Sequence, residues 1–99
     1  MSNMRYVVVI ETDDGKKDYK VFEKSGDAVG RYDAARARMA RQEPVRIGGE
    51  EANILSCQIF RAKTDNIREA KMMVESGNAE PFKPAAFYRP TDGPKLEDL

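Results

Sequence analysis

The sequence predicts a small α+β domain of order ββαβα: a three-stranded antiparallel sheet, two helices on one face, and an extended proline-rich C-terminal tail. Three observations carry this reading. An unbroken β-branched and aromatic run, Tyr6-Val7-Val8-Val9-Ile10, is followed closely by a turn sequence. Two stretches with apolar residues at helical spacing are separated by a strand-like segment. From Asn78 onward, Pro81, Pro84, Pro90 and Pro94 interrupt any helical or strand period.

The first strand is expected over Arg5–Thr12. It is apolar at both parities, the pattern of a strand covered on both faces, which places it in the middle of the sheet. Asp14-Gly15 can supply the positive φ angles of a tight hairpin turn, and Asp18–Glu23 then alternates. Tyr19 and Val21 fall on one face of this second strand, Lys20 and Phe22 on the other, and Lys20 suits an edge because its charge discourages foreign pairing.

A first helix is expected from Asp27 to Gln42, capped by Ser25 or Asp27, with Ala28, Tyr32, Ala35 and Met39 as its apolar stripe and Val29 beside it. Pro44 and Gly48-Gly49 break the pattern. A third strand over Ala52–Ala62 places Leu55, Cys57 and Ile59 on one side and Ile54, Ser56, Gln58 and Phe60 on the other. Thr64 or Asp65 offers a cap to a second helix ending near Ser76, with Ile67, Ala70 and Val74 buried, Met72 pointing away and Gly77 closing it in a left-handed turn. Strand order 2-1-3 buries the most apolar strand between two neighbours.

Residues 1–77 then form one domain and residues 78–99 a tail. Two helices on one face leave the reverse of the sheet open, where Phe22, Ile54 and Phe60 would form an apolar patch. A second copy of the chain is the expected cover, giving a homodimer. The alternative is that Phe82, Phe87 and Tyr88 of the tail fold back over the same face within one chain. Some cover is needed, since a core of fewer than about 80 residues buries little more than roughly 60% of its unfolded surface.

Composition excludes much of the functional range. A chain of 99 residues with 17 basic and 17 acidic side chains and 40% hydrophobic residues is one globular domain rather than a disordered polyelectrolyte. No stretch approaches the roughly 18 consecutive apolar residues of a spanning helix, so no membrane association is expected. The opening residues lack a secretory pattern and the single Cys57 cannot form an internal disulfide, which points to the cytoplasm. The absence of His removes the Ser-His, Cys-His and His-metal mechanisms. Cys57, flanked on its own face by Leu55 and Ile59, reads as core packing.

Asp13-Asp14 and Glu50-Glu51 lack the alternate spacing of a calcium loop, and Gly48-Gly49 and Gly26 to Gly30 fit neither a phosphate loop nor a dinucleotide fingerprint. No catalytic residue, metal or cofactor is expected. The one uneven charge feature is the first helix together with the segment C-terminal to it: Arg31, Arg36, Arg38, Arg41 and Arg46 face only Asp33 and Glu43 between residues 31 and 49. At about 100° per residue Arg31, Arg38 and Arg41 share one exposed arc, and their forked donors suit carboxylates or phosphates. The expected function is a noncatalytic interaction module that self-associates and presents these arginines to a protein partner. The alternative is a nucleic-acid-binding protein using Arg31, Arg38 and Arg41 on phosphates, which a sequence pI near 6.3 favours less.

Overall fold

The computed structural model of the protein describes residues 4–83. Strands β1 (Arg5–Thr12) and β2 (Lys17–Phe22) form an antiparallel hairpin, with Gly15 at φ +89° in the turn. Helix α1 (Ser25–Arg41) starts two residues before the expected position, at an N-cap, Lys24, that makes no side-chain cap bond. Its stripe is otherwise as the spacing predicts: Ala28, Val29 and Ala35 are buried, and Tyr32 and Met39 are half-buried.

The segment after α1, expected only to break the pattern, contains a second hairpin. Strands β3 (Val45–Ile47) and β4 (Glu50–Ala52) pair across Gly48-Gly49, whose φ angles of +63° and +82° are what a two-residue turn with both central residues left-handed requires. Strand β5 (Ile54–Ala62) then pairs with β1. Helix α2 (Ile67–Glu75) is capped by Asn66, one residue beyond the expected caps, whose side-chain oxygen accepts from the Glu69 N–H. Thr64 supports that cap, accepting from the Asn66 N–H and donating to the Glu69 carboxylate. Gly77, at φ +80°, closes the helix as expected.

The fold is α+β with two helices and antiparallel sheets, but the expected three-stranded sheet is corrected. The main sheet has four strands in the order β2-β1-β5-β6, with β6 (Glu80–Pro81) drawn from residues expected to belong to the tail. Pro81 faces Phe60, Glu80 faces Arg61, and the Phe82 N–H donates to the Ile59 carbonyl. Successive residues of a strand turn their N–H groups to opposite sides. With Phe82 donating toward β5, Pro81 has its nitrogen outward, where a missing N–H costs no ladder bond.

The placement of both helices on one face is also corrected. In the β1–β2 and β1–β5 registers, Tyr6 faces Phe22 and Val8 faces Ile59, whereas Val7 faces Val21 and Phe60. Val8, Ile10 and Ile59 pack with Ala28, Val29 and Ala35 of α1. Val7 packs with Ala62 and with Ala70 of α2, joined by Val9, Tyr19, Val21, Met73 and Val74. The sheet therefore lies between the two helices. The reason is visible in β1 itself: α1 fills one face alone, so the Val7 and Val9 parity needs its own cover.

This removes the common patch of Phe22, Ile54 and Phe60. Phe22 and Ile54 pack against the α1-side cluster, while Phe60 lies on the α2 face opposite Val7. Ile54 changes side because the register slips between Glu11 and Thr12: Glu11 faces Ser56 and Thr12 faces Ile54, so Leu55 is skipped and left 60% exposed. Ile67, expected in the α2 stripe, is instead 64% exposed at the first helical position. Of the expected tail contacts, Phe82 packs edge-on against Tyr6 on the α1 face, with ring centroids 5.3 Å apart. Phe87 and Tyr88 lie outside the described residues.

Candidate functional site

The arginines of α1 divide into three settings. Arg36 lies over the ring of Tyr32, 5.6 Å from its centroid. Arg41, in the last turn, is held at the helix end by Glu43, whose carboxylate accepts from its Nε at 2.9 Å and from its Nη2 at 3.2 Å. Those hydrogen bonds lower the Glu43 pKa below the usual carboxylate range and raise that of Arg41. Of the expected trio of Arg31, Arg38 and Arg41, the last is paired with Glu43 at the helix end and does not line the groove that holds the other two.

Arg31 and Arg38, seven residues and two turns apart, line the same groove between α1 and the β3–β4 hairpin. The hairpin contributes Arg46 from β3 and Glu51 from β4, and Ile10, Pro44, Val45 and Ile47 supply apolar lining. The groove measures about 380 Å³, within the roughly 300–1,000 Å³ of small-ligand sites.

Each guanidinium is fixed by a contact of its own. Arg31 Nη2 donates to the Asp18 carboxylate of β2 at 2.9 Å. Arg38 Nη1 donates to the Pro44 carbonyl at 2.9 Å, which ties the end of α1 to the entry of the hairpin. Arg46 Nη1 donates to the Gly49 carbonyl at 2.9 Å, and its Nη2 lies 3.4 Å from the cross-strand Glu51 carboxylate. A guanidinium has five N–H donors, so these contacts orient the forks and leave donor capacity unused. Asp18 pairs with Arg31 and Glu51 with Arg46, so the groove carries an excess of one positive charge, that of Arg38.

Arg46 is the site residue that sequence reasoning missed. Its signal was present: Val45-Arg46-Ile47 alternates directly before Gly48-Gly49, the pattern of a hairpin strand with one polar face. Only the return of that hairpin against α1, through Ile47 and the α1-side core, brings Arg46 beside Arg38.

Other chemical groups are engaged structurally. Cys57, half-buried on the α1 face, has a thiol that burial pushes up to about 11, so it stays protonated at neutral pH. Lys16 bridges the first turn to β4 through Asp14 and Glu50. Among the described residues no group of three or more Cys, Asp and Glu side chains is placed to hold a metal ion. No helix of the described residues is long and apolar enough to cross a membrane. Comparison with known protein families, curated proteins and solved structures finds no match to this chain, so the groove is read from its own geometry.

Proposed function

We propose that the protein is a noncatalytic interaction module that takes an acidic group of a partner protein into the groove between α1 and the β3–β4 hairpin. The observation that supports this is the convergence of Arg31, Arg38 and Arg46 on one concave, partly apolar surface, each held by a separate hydrogen bond. Fixed forks lose little conformational entropy on binding an anion, which favours recognition over a solvated helix face. The single thiol, Cys57, and the want of any His suit a binding module in a reducing compartment, and we read that compartment as the cytoplasm. Self-association through the sheet forms no part of this reading, because Phe22 and Ile54 pack beneath α1 while Phe60 lies on the opposite face.

The reading is tested on the full chain by fluorescence anisotropy with two labelled probes at low salt, a glutamate-rich peptide and a short DNA duplex. The peptide is expected to bind, to weaken about tenfold or more in Arg38→Ala and Arg46→Ala, and to be unaffected by Arg41→Ala. Absence of peptide binding overturns the proposal. Duplex binding that is lost in Arg41→Ala as readily as in Arg38→Ala also overturns it, in favour of phosphate-backbone contact along the helix.

A further inference from the structure

We infer that the chain pairs with a second copy of itself along β2, edge to edge and antiparallel, with Tyr19 on the two-fold axis. This goes beyond the groove reading and does not rest on it, and it uses the edge of the sheet, not the faces that the two helices cover. The first observation is an open row of backbone groups. The Thr12 N–H donates to the Lys16 carbonyl at 2.9 Å, which makes these two a hydrogen-bonded pair at the head of the hairpin. In the register that follows, Ile10 faces Asp18, Val8 faces Lys20 and Tyr6 faces Phe22, so those three residues of β2 bond inward to β1. Lys17, Tyr19 and Val21 therefore turn their N–H and carbonyl groups outward, where β2 has no neighbouring strand among the described residues. On the other side of the sheet β6 is two residues long, and its outward residue, Pro81, has no N–H to offer. Head-to-tail growth from β2 onto β6 is thereby disfavoured, and a closed pair is not.

The second observation is charge, which selects both the occupant and the register. Lys20 is exposed and pairs with no carboxylate among the described residues. Asp18, on the same face of β2, gives Oδ2 to Arg31 at 2.9 Å and has Oδ1 left to accept. These two residues flank Tyr19 symmetrically, so an antiparallel pairing centred on Tyr19 sets each Asp18 opposite Lys20 of the second copy. They meet at non-hydrogen-bonded positions, where opposite Cα atoms approach to about 4.5 Å and side chains are closest. Arg31 keeps its bond to Asp18, so one carboxylate lies between two cations on each side of the axis. In the same register Lys17 meets Val21 and Tyr19 meets Tyr19 as hydrogen-bonded pairs, so every outward residue of both copies is used. Moving the axis to Lys20 sets two ammonium groups side by side, and moving it to Asp18 sets two carboxylates together. Either shift also leaves one outward residue of each copy unpaired. Ladder and charge thus agree on one register, and a second copy carries the reversed spacing of Asp18 and Lys20 by symmetry alone. On the opposite face Lys71 lies over the Tyr19 ring, 5.4 Å from its centroid, so that cation is already engaged.

The test is sedimentation equilibrium of the full chain from about 10 µM to about 1 mM, with amide exchange at both ends of the range. A monomer–dimer equilibrium is expected. Protection at the outward amides of Lys17, Tyr19 and Val21 is expected to rise with concentration at least about fivefold more than at Asp18, Lys20 and Phe22, which are already bonded to β1. Lys20→Glu sets carboxylate against carboxylate across the axis and is expected to weaken the dimer at least about tenfold. Its melt at low concentration checks that the monomer stays folded, Lys20 being exposed. Lys63→Glu makes the same change of net charge outside β2 and is expected to leave the dimer intact.

A chain that stays monomeric across the range overturns the inference. So does a dimer whose concentration-dependent protection falls outside β2, since that assigns the contact to another surface. Equal weakening by Lys20→Glu and Lys63→Glu overturns it as well, because the effect then follows net charge and not the facing of Asp18 and Lys20.

Discussion

Asp14 collects donors from three directions in the first turn: the Lys16 ammonium, the Thr12 hydroxyl and the Lys16 backbone N–H. The Lys16 and Thr12 hydrogen bonds hold its carboxyl at about 2, below the ordinary 3.8. A carboxyl with a lowered folded-state pKa favours the folded form above its unfolded value, and that contribution is lost as pH falls through the folded value. The window is thus from about pH 4 down to about pH 2. In Asp14→Asn the contribution is absent at every pH, so the fall of the melting temperature over that window is expected to be shallower than in the parent protein. Circular-dichroism melts across the interval check this, and an unchanged acid limb would place the sensitivity at another carboxylate.

The two helices depend on different local devices. α1 has no side-chain cap and ends at Gln42 in a left-handed conformation, φ +58°, that L side chains adopt at a cost. Seventeen residues and three buried side chains, Ala28, Val29 and Ala35, hold it regardless. α2 has nine residues and buries only Ala70, so its start matters more. Asn66 caps it, and Thr64 and Glu69 close a small network around that cap. Asn66→Ala is expected to destabilise the protein by about 1 kcal/mol in denaturant titration, while amide exchange rises first in α2. Equal protection of α2 in both proteins would refute the claim that this cap limits it.

Across the whole molecule, the short β6 strand and Phe82 finish what the first 77 residues begin. Phe82 sits half-buried against Tyr6 at the end of the α1-side core, and its N–H extends the ladder to Ile59. Phe82→Ala removes the ring contact and part of the apolar cover, a loss of roughly 2 kcal/mol. For a domain of this size that corresponds to a fall of roughly 8–16 °C in Tm. A chain ended at Gly77 loses β6 as well and is expected to melt lower still. A Tm within 2 °C of the parent in the substituted protein would remove Phe82 from the core.

The elements were largely legible because each is set by near neighbours in the chain. The β-branched run makes β1, Asp14-Gly15 makes its turn, and four residues at helical spacing mark the buried side of α1. The exposed arc of Arg31, Arg38 and Arg41 came from the same helical periodicity. Which face each helix takes is not a local property, since both parities of β1 are apolar and either could receive either helix. The skipped Leu55 reversed the side of Ile54, and a one-residue slip of this kind leaves no mark in an alternating sequence. The groove is likewise a product of packing: the turn of Gly48-Gly49 folds β3 and β4 back on α1 and substitutes Arg46 for Arg41 as the third cation. Local sequence determined the strands, the helices and their charges, and tertiary structure decided which charges meet, because that depends on contacts between segments far apart in the chain.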